Sequence, residues 1–115
     1  VGTIFRYCDV YYGGSDYWYG TVFDLTSLNN PVTIDNCVIA HNSPVSSTTS
    51  YAIYGSELSP TAATITNNTL FDNDKPIKVS DYYSLDASNT FHNPANPSQI
   101  NKFNTIFIGT HCTGY

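Results

Sequence analysis

Apolar residues in this chain come in short alternating runs broken at regular places by asparagine and aspartate. The clearest run is Ala63 to Val79, ATITNNTLFDNDKPIKV. Ile65 stands between Thr64 and Thr66, the period-two pattern of a half-buried strand. Asn67-Asn68 then breaks the pattern, Leu70 centres a second short strand, and Asp72-Asn73-Asp74 breaks it again before a third strand through Ile77 and Val79. Three short strands joined by two sharp corners are predicted. Asparagine suits such a corner because it tolerates the left-handed backbone region, and its amide can both donate to and accept from an asparagine stacked on it.

The pattern recurs. Ile34-Asp35-Asn36-Cys37-Val38-Ile39-Ala40-His41-Asn42 aligns position for position with Ile65 to Asn73, and Phe5-Arg6-Tyr7-Cys8-Asp9-Val10-Tyr11-Tyr12-Gly13 falls into the same frame upstream. Downstream, Ser88-Asn89-Thr90-Phe91 fits once more, although the strand expected before it is lost at Leu85-Asp86. The inward rows are then Phe5, Ile34, Ile65 and Val10, Ile39, Leu70, Phe91, and the corner row is Cys8, Cys37, Asn68, Asn89. A repeat of this size cannot bury its inner face alone, so neighbouring repeats must stack.

With NNTLFDN, IDNCVIAHN before it and YCDVYYGG at the start, the chain resembles the right-handed parallel β-helix repeats of secreted bacterial proteins related in fold to pectate lyases, over roughly residues 3 to 108. The resemblance implies an all-β chain: a right-handed parallel β-helix, or solenoid, of about four coils with uncapped ends. Residues 1–115 then form a single β-helix domain or a fragment of a longer one. It also implies a secreted or cell-surface location. Polysaccharide lyases, glycoside hydrolases, phage tailspikes, adhesins and surface proteins share this architecture, so function has to come from particular residues.

Composition narrows the partners. The 115 residues include ten Tyr, six Phe, one Trp and no Met, with four Lys and Arg against nine Asp and Glu, for a net charge of −5. An acidic chain without a basic cluster is a poor match for nucleic acid or anionic membranes, and no apolar run approaches the length of a membrane-spanning helix. The three cysteines lack the spacings of zinc or haem sites. Cys8 and Cys37, in one corner row, should lie about one strand spacing apart, roughly 4.8 Å, which leaves both a disulfide and stacked free thiols open. Cys112 is left over near the end of the chain, where in an end-to-end stack it would approach Cys8 of the next copy.

The most unusual stretch is the glycine-bounded Gly13 to Gly20, which holds the only Trp. Rings in such a loop cannot all be core. With the preceding tyrosines they predict a carbohydrate-binding patch of Tyr11, Tyr12, Asp16, Tyr17, Trp18 and Tyr19, in which a pyranose face stacks on a ring while a carboxylate takes hydroxyls. The plainer alternative is that these rings close the first coil or pack on a neighbour. No catalytic residues, metal site or cofactor are assigned. The few basic residues argue against a lyase centre, and Lys75 and Lys78, three apart on one strand, are expected on opposite faces. Asp9, Asp35 and Asp72 are candidate carboxylates for glycoside hydrolysis, but nothing selects a pair. His41 and His92, beside corner asparagines, read as structural, and Asp72-Asn73-Asp74 reads as a solvated turn in preference to a calcium loop.

The sequence thus points to an extracellular carbohydrate-associated β-helix module that binds glycan through its aromatic loop. One alternative is a structural protein stacking end to end into a filament or surface layer, through contact with another copy or with the rest of a longer chain. The other is a fragment of a polysaccharide lyase or glycoside hydrolase.

Overall fold

The computed structural model describes residues 2–13, 21–26, 28, 30–42, 51–55, 58–59, 61–79, 85–102 and 106–108. Among these every regular element is a strand, as expected. In chain order they are β1 (Thr3–Arg6), β2 (Asp9–Tyr11), β3 (Phe23–Asp24), β4 (Val32–Asp35), β5 (Val38–Ala40), β6 (Tyr51–Gly55), β7 (Ala63–Thr66), β8 (Thr69–Phe71), β9 (Lys75–Val79), β10 (His92–Asn93), β11 (Asn96–Ile100) and β12 (Ile106–Ile108). They form three parallel sheets, ordered β1-β4-β7, β2-β5-β8 and β12-β9-β6-β3, and an antiparallel pair β10-β11. The chain visits the three parallel sheets in turn, once per repeat.

The register is the one the repeat alignment predicts. Phe5 pairs with Ile34 and Ile34 with Ile65, Val10 with Ile39 and Ile39 with Leu70. In the third sheet Phe23, Ile53 and Ile77 are aligned. Ile34, Ile39, Ile53, Leu70 and Ile77 are wholly excluded from solvent and join Leu25, Val32, Ile65, Val79 and Leu85 in one core cluster. Each stacked apolar row is buried by the strand above and the strand below, which is why the middle repeats are buried and the first is not. All four residues of β1 are exposed, with Ile4 at 61% and Phe5 at 36%.

Two asparagine ladders fasten the corners. In the first, Asn68 Oδ1 accepts from the Cys37 N–H at 2.9 Å, and the Asn68 amide donates to Ile34 O at 2.9 Å and to Asn89 Oδ1 at 3.1 Å. The second, Asn42-Asn73-Asn101, was not foreseen. Asn42 Nδ2 donates to Asn73 Oδ1 at 2.8 Å, Asn73 Nδ2 to Asn101 Oδ1 at 2.9 Å, and Asn73 and Asn101 also reach back to Ile39 O and Leu70 O. Gly13 takes the first rung, donating its N–H to Asn42 Oδ1. These amides are nearly inaccessible, and a buried amide is stable only when its donors and acceptors are met. Among the described residues no buried side-chain nitrogen or oxygen lacks a partner.

The left-handed corner position differs from expectation by one residue. Positive φ belongs to Tyr7, Asn36 and Asn67 at the first corner and to Tyr12, His41 and Asp72 at the second, all between 52° and 60°. Asn68 is the inward rung that follows. A left-handed residue turns its own side chain out and points the next one in, so each corner divides labour between two neighbours.

The fourth repeat departs further. Thr90 still bridges Thr69 in parallel and Asn89 still underlies Asn68, but an excursion intervenes before Asn101 resumes the second ladder. The sequence suggests a closing strand pair over Ile100 to Ile108. Instead β10 and β11 make an antiparallel hairpin whose turn is held by Asn93 Oδ1 accepting from the Ala95 N–H at 3.0 Å, while β12 lies parallel beside β9. The hairpin packs against β8, and Ile100 O accepts from the Asp72 N–H. The edge of β8 is covered by this hairpin, while β1, β2 and β3 remain edge strands among the described residues.

Candidate functional site

The second left-handed corner builds an aromatic and acidic row on the outside of the stack. Tyr12, His41 and Asp72 occupy the same position in successive repeats, so their outward side chains meet. Tyr12 stacks on the His41 imidazole, centroids 5.4 Å apart and planes 17° from parallel. His41 Nδ1 lies 2.5 Å from Asp72 Oδ2. An ionised carboxylate only accepts, so Nδ1 carries the proton in this pair, leaving Nε2 to accept or donate elsewhere. Tyr11 and Phe71 meet His41 edge-on at 5.6 and 5.4 Å. The imidazole is thereby clamped by three rings and one carboxylate.

Tyr12 is 76% exposed and Tyr11 45%. Tyrosine lacks the local hydrogen bonding that eases Asn and Asp into left-handed backbone, so Tyr12 is held there at a cost of about 1–2 kcal/mol. Strain of this kind persists only where surrounding structure enforces it, and it gathers at functional sites. Of the six residues predicted to form the patch, Tyr11 and Tyr12 are placed in this row, whereas Asp16, Tyr17, Trp18 and Tyr19 lie outside the described residues. The segment carrying them leaves from Gly13, the residue after Tyr12. The segment 43–50 leaves from Asn42, the residue after His41.

From sequence alone His41 reads as structural and Asp72 as part of a solvated turn. Both take part in the row, and the signal for it was present in the repeat alignment, which puts them at the position of Tyr12. The remaining members of the turn are already engaged: Asn73 is a buried ladder rung, and Asp74 Oδ1 is 3.5 Å from Lys102 Nζ.

The first corner carries a different cluster. Asp35 accepts from Asn67 Nδ2, Thr66 Oγ1, Asn36 Nδ2 and Arg6 Nε at 2.8–3.0 Å. The bonds from Asn67 and Thr66, followed by those from Asn36 and Arg6, outweigh desolvation and hold its carboxyl down at about 2. A carboxylate so fully committed suits a structural clasp and is poorly placed to act as an acid or a nucleophile. Nearby, Cys8 and Cys37 are free thiols. Burial pushes the Cys37 thiol upward, and its Sγ contacts Phe5 O and Asp35 O. Cys112 lies outside the described residues.

On the third sheet the lysine expectation is overturned. Lys75 and Lys78 both reach the ring of Tyr51, with Nζ 5.3 and 5.8 Å from its centroid. Lys75 is the first residue of β9, where the strand leaves the corner and its long stem can swing round, so strict alternation does not govern it.

No protein-family model matches this chain, and neither a curated protein nor a solved structure does.

Proposed function

We propose that this chain is a right-handed parallel β-helix that binds carbohydrate outside the cell through its second corner row. The helical reading is supported by three parallel sheets visited in turn at constant register and by two amide ladders running along the stack. The observation that carries the binding reading is the Tyr12-His41-Asp72 row: an exposed ring, backed by an imidazole that is itself fixed by a carboxylate. A stacked tyrosine offers an apolar face for a pyranose, and the histidine and aspartate beside it supply hydrogen-bonding groups for its hydroxyls.

The test is glycan binding by Tyr12→Ala, His41→Ala and Trp18→Ala, each checked for retained circular dichroism. Loss of an aromatic anchor should reduce affinity by about 1–3 kcal/mol. A wild-type protein that binds no member of a broad glycan array, or a Tyr12→Ala protein that binds as well, would sink the proposal.

A second reading, end-to-end assembly, is supported by β1, which among the described residues pairs only with β4 and exposes Ile4 and Phe5. It is compatible with glycan binding, since corner row and strand edge are different surfaces.

A further inference from the structure

The first repeat is joined to the second differently from the rest of the stack. Further along, side-chain amides bond to one another at both corners, Asn68 to Asn89 and Asn42 to Asn73 to Asn101. In the first repeat Cys8 stands in one of these rows and Gly13 in the other, so no amide pair links it to the second. Its strand β1 is also exposed along its whole length. Where the amides are missing, the first row holds two thiols, Cys8 and Cys37, and a thiol is only a weak donor and acceptor.

The two thiols are set in register. The pairs Arg6 with Asp35 and Asp9 with Val38 bracket them, and the Val38 N–H donates to Cys8 O. Their Cα atoms therefore stand about one strand spacing apart, roughly 4.8 Å, which a disulfide can bridge. Each Sγ reaches back to the carbonyl two residues earlier, Cys8 to Arg6 O and Cys37 to Asp35 O, both at 3.4 Å. The side chains thus lean the same way. Cys8 packs against the core cluster that contains Cys37, and the two side chains share a hydrogen bond. Both are free thiols, Cys8 half-buried and Cys37 buried, held by weak S–H bonds that a turn about χ1 can give up.

We propose that Cys8 and Cys37 are a paired modification site, which a small-molecule disulfide closes to an intramolecular disulfide that fastens the first repeat to the second. Cys8, the more accessible of the two, attacks first as its thiolate. Its sulfur bonds to one sulfur of the reagent, the reagent's S–S bond breaks, and the other half leaves as a thiolate. The Cys37 thiolate then attacks the Cys8 sulfur and displaces the remaining half. The protein gives up two electrons and two protons, and the reagent is recovered as two thiols. Burial pushes the Cys37 thiol upward, so the second displacement is the slower step and quickens as pH rises. The bond closes the stretch of chain that carries Tyr12 and ties it to the repeat that carries His41. The pairing stands whether or not the corner row binds carbohydrate.

The experiment equilibrates the folded, reduced chain with reduced and oxidised glutathione at graded ratios, traps the remaining thiols by alkylation, and maps the bonds by mass spectrometry after digestion. Non-reducing denaturing electrophoresis separates bonds within one chain from bonds between chains. The proteins are wild type, Cys8→Ser and Cys112→Ser. Wild type should lose two hydrogen atoms in mass and yield one linked pair of peptides, Cys8 with Cys37, and Cys112→Ser should do the same. The oxidised protein should unfold about 5 °C or more above the reduced one. Amide exchange over residues 3–11 should slow about ten-fold or more, with a smaller change over residues 69–79. Cys8→Ser should show neither shift between the reducing and oxidising buffers.

Thiols at Cys8 and Cys37 that stay reduced at the most oxidising ratio overturn the pairing. So does a bond that maps to Cys112, that joins two chains, or that forms only in denaturant. A mapped bond between Cys8 and Cys37 that leaves unfolding and exchange unchanged overturns its fastening role. Should Cys8→Ser fail to fold, the wild-type map and the Cys112→Ser protein still decide the matter, since both keep the two thiols in place.

Discussion

At the scale of single residues, two neighbouring corner positions do opposite work, and substitutions should separate them. Asn68 is 1% exposed, and its amide serves Cys37, Ile34 and Asn89. Asn68→Leu leaves those backbone and side-chain groups without partners, at about 1–3 kcal/mol for each buried group left unmet, and denaturant unfolding should show a loss of at least that size. Unchanged unfolding would mean that the ladder does not hold the corner. Asp35, on the outer side of the same corner, contributes through its charge. Its folded pKa of about 2 lies below the ordinary carboxylate value of 3.8, so between these values the unfolded chain binds more protons than the folded one. Its stabilisation is therefore complete above about pH 4 and is lost as pH falls through about 2. Thermal melts of wild type and Asp35→Asn should differ at pH 7 and converge near pH 2. A difference that persists undiminished at pH 2 would assign the effect of the substitution to something other than this ionisation.

At the scale of elements, the position of a strand in its sheet decides what a residue is worth. Ile53 on β6 is flanked by β3 and β9 and is wholly excluded from solvent, so Ile53→Ala should cost about 2–5 kcal/mol. Ile4 on β1 is 61% exposed, and Ile4→Ala should stay within about 0.5 kcal/mol. Denaturant midpoints of the two variants check this, and a small loss at Ile53 would contradict the stacked core. These elements differ equally in how far they could be read beforehand. The pairings of β1, β4 and β7 and of β2, β5 and β8 were legible because alternating apolar residues and corner asparagines repeat together. The second ladder was hidden because the β10-β11 hairpin, an insertion with its own turn chemistry at Asn93, separates Asn101 from the rest of its repeat. The corner row was legible only in its tyrosines. A polar His or Asp in a turn is ordinary, and only its register with Tyr12 makes it part of a surface. The convergence of Lys75 and Lys78 was hidden because alternation fails at the first residue of a strand.

At the scale of the whole molecule, the two ends of the stack are unlike. At one, the β10-β11 hairpin lies against β8. At the other, among the described residues, β1, β2 and β3 each have a paired strand on one side only, and Phe5 and Phe23 cover each other in an edge-to-face contact at 5.1 Å. Rows of unpaired backbone groups beside exposed Ile4 and Phe5 form an edge of the kind that recruits another strand. Arg6 does little to repel a newcomer, because Asp35 neutralises it at 2.9 Å. Residues 1–115 should therefore associate through this edge as concentration rises. A self-complementary contact of this one edge would stop at a dimer, whereas joining it to the hairpin end would propagate. Size-exclusion chromatography with light scattering, with and without reductant to remove any contribution from the cysteines, should show a mass that grows with concentration. A charge on the edge opposes strand addition, so Phe5→Lys should return the protein to a monomer while leaving the proposed corner-row binding unchanged. A wild-type protein that stays monomeric at millimolar concentration would exclude assembly through this edge without touching the carbohydrate proposal, because Tyr12, His41 and Asp72 face outward from the corner and do not need a second copy to be complete.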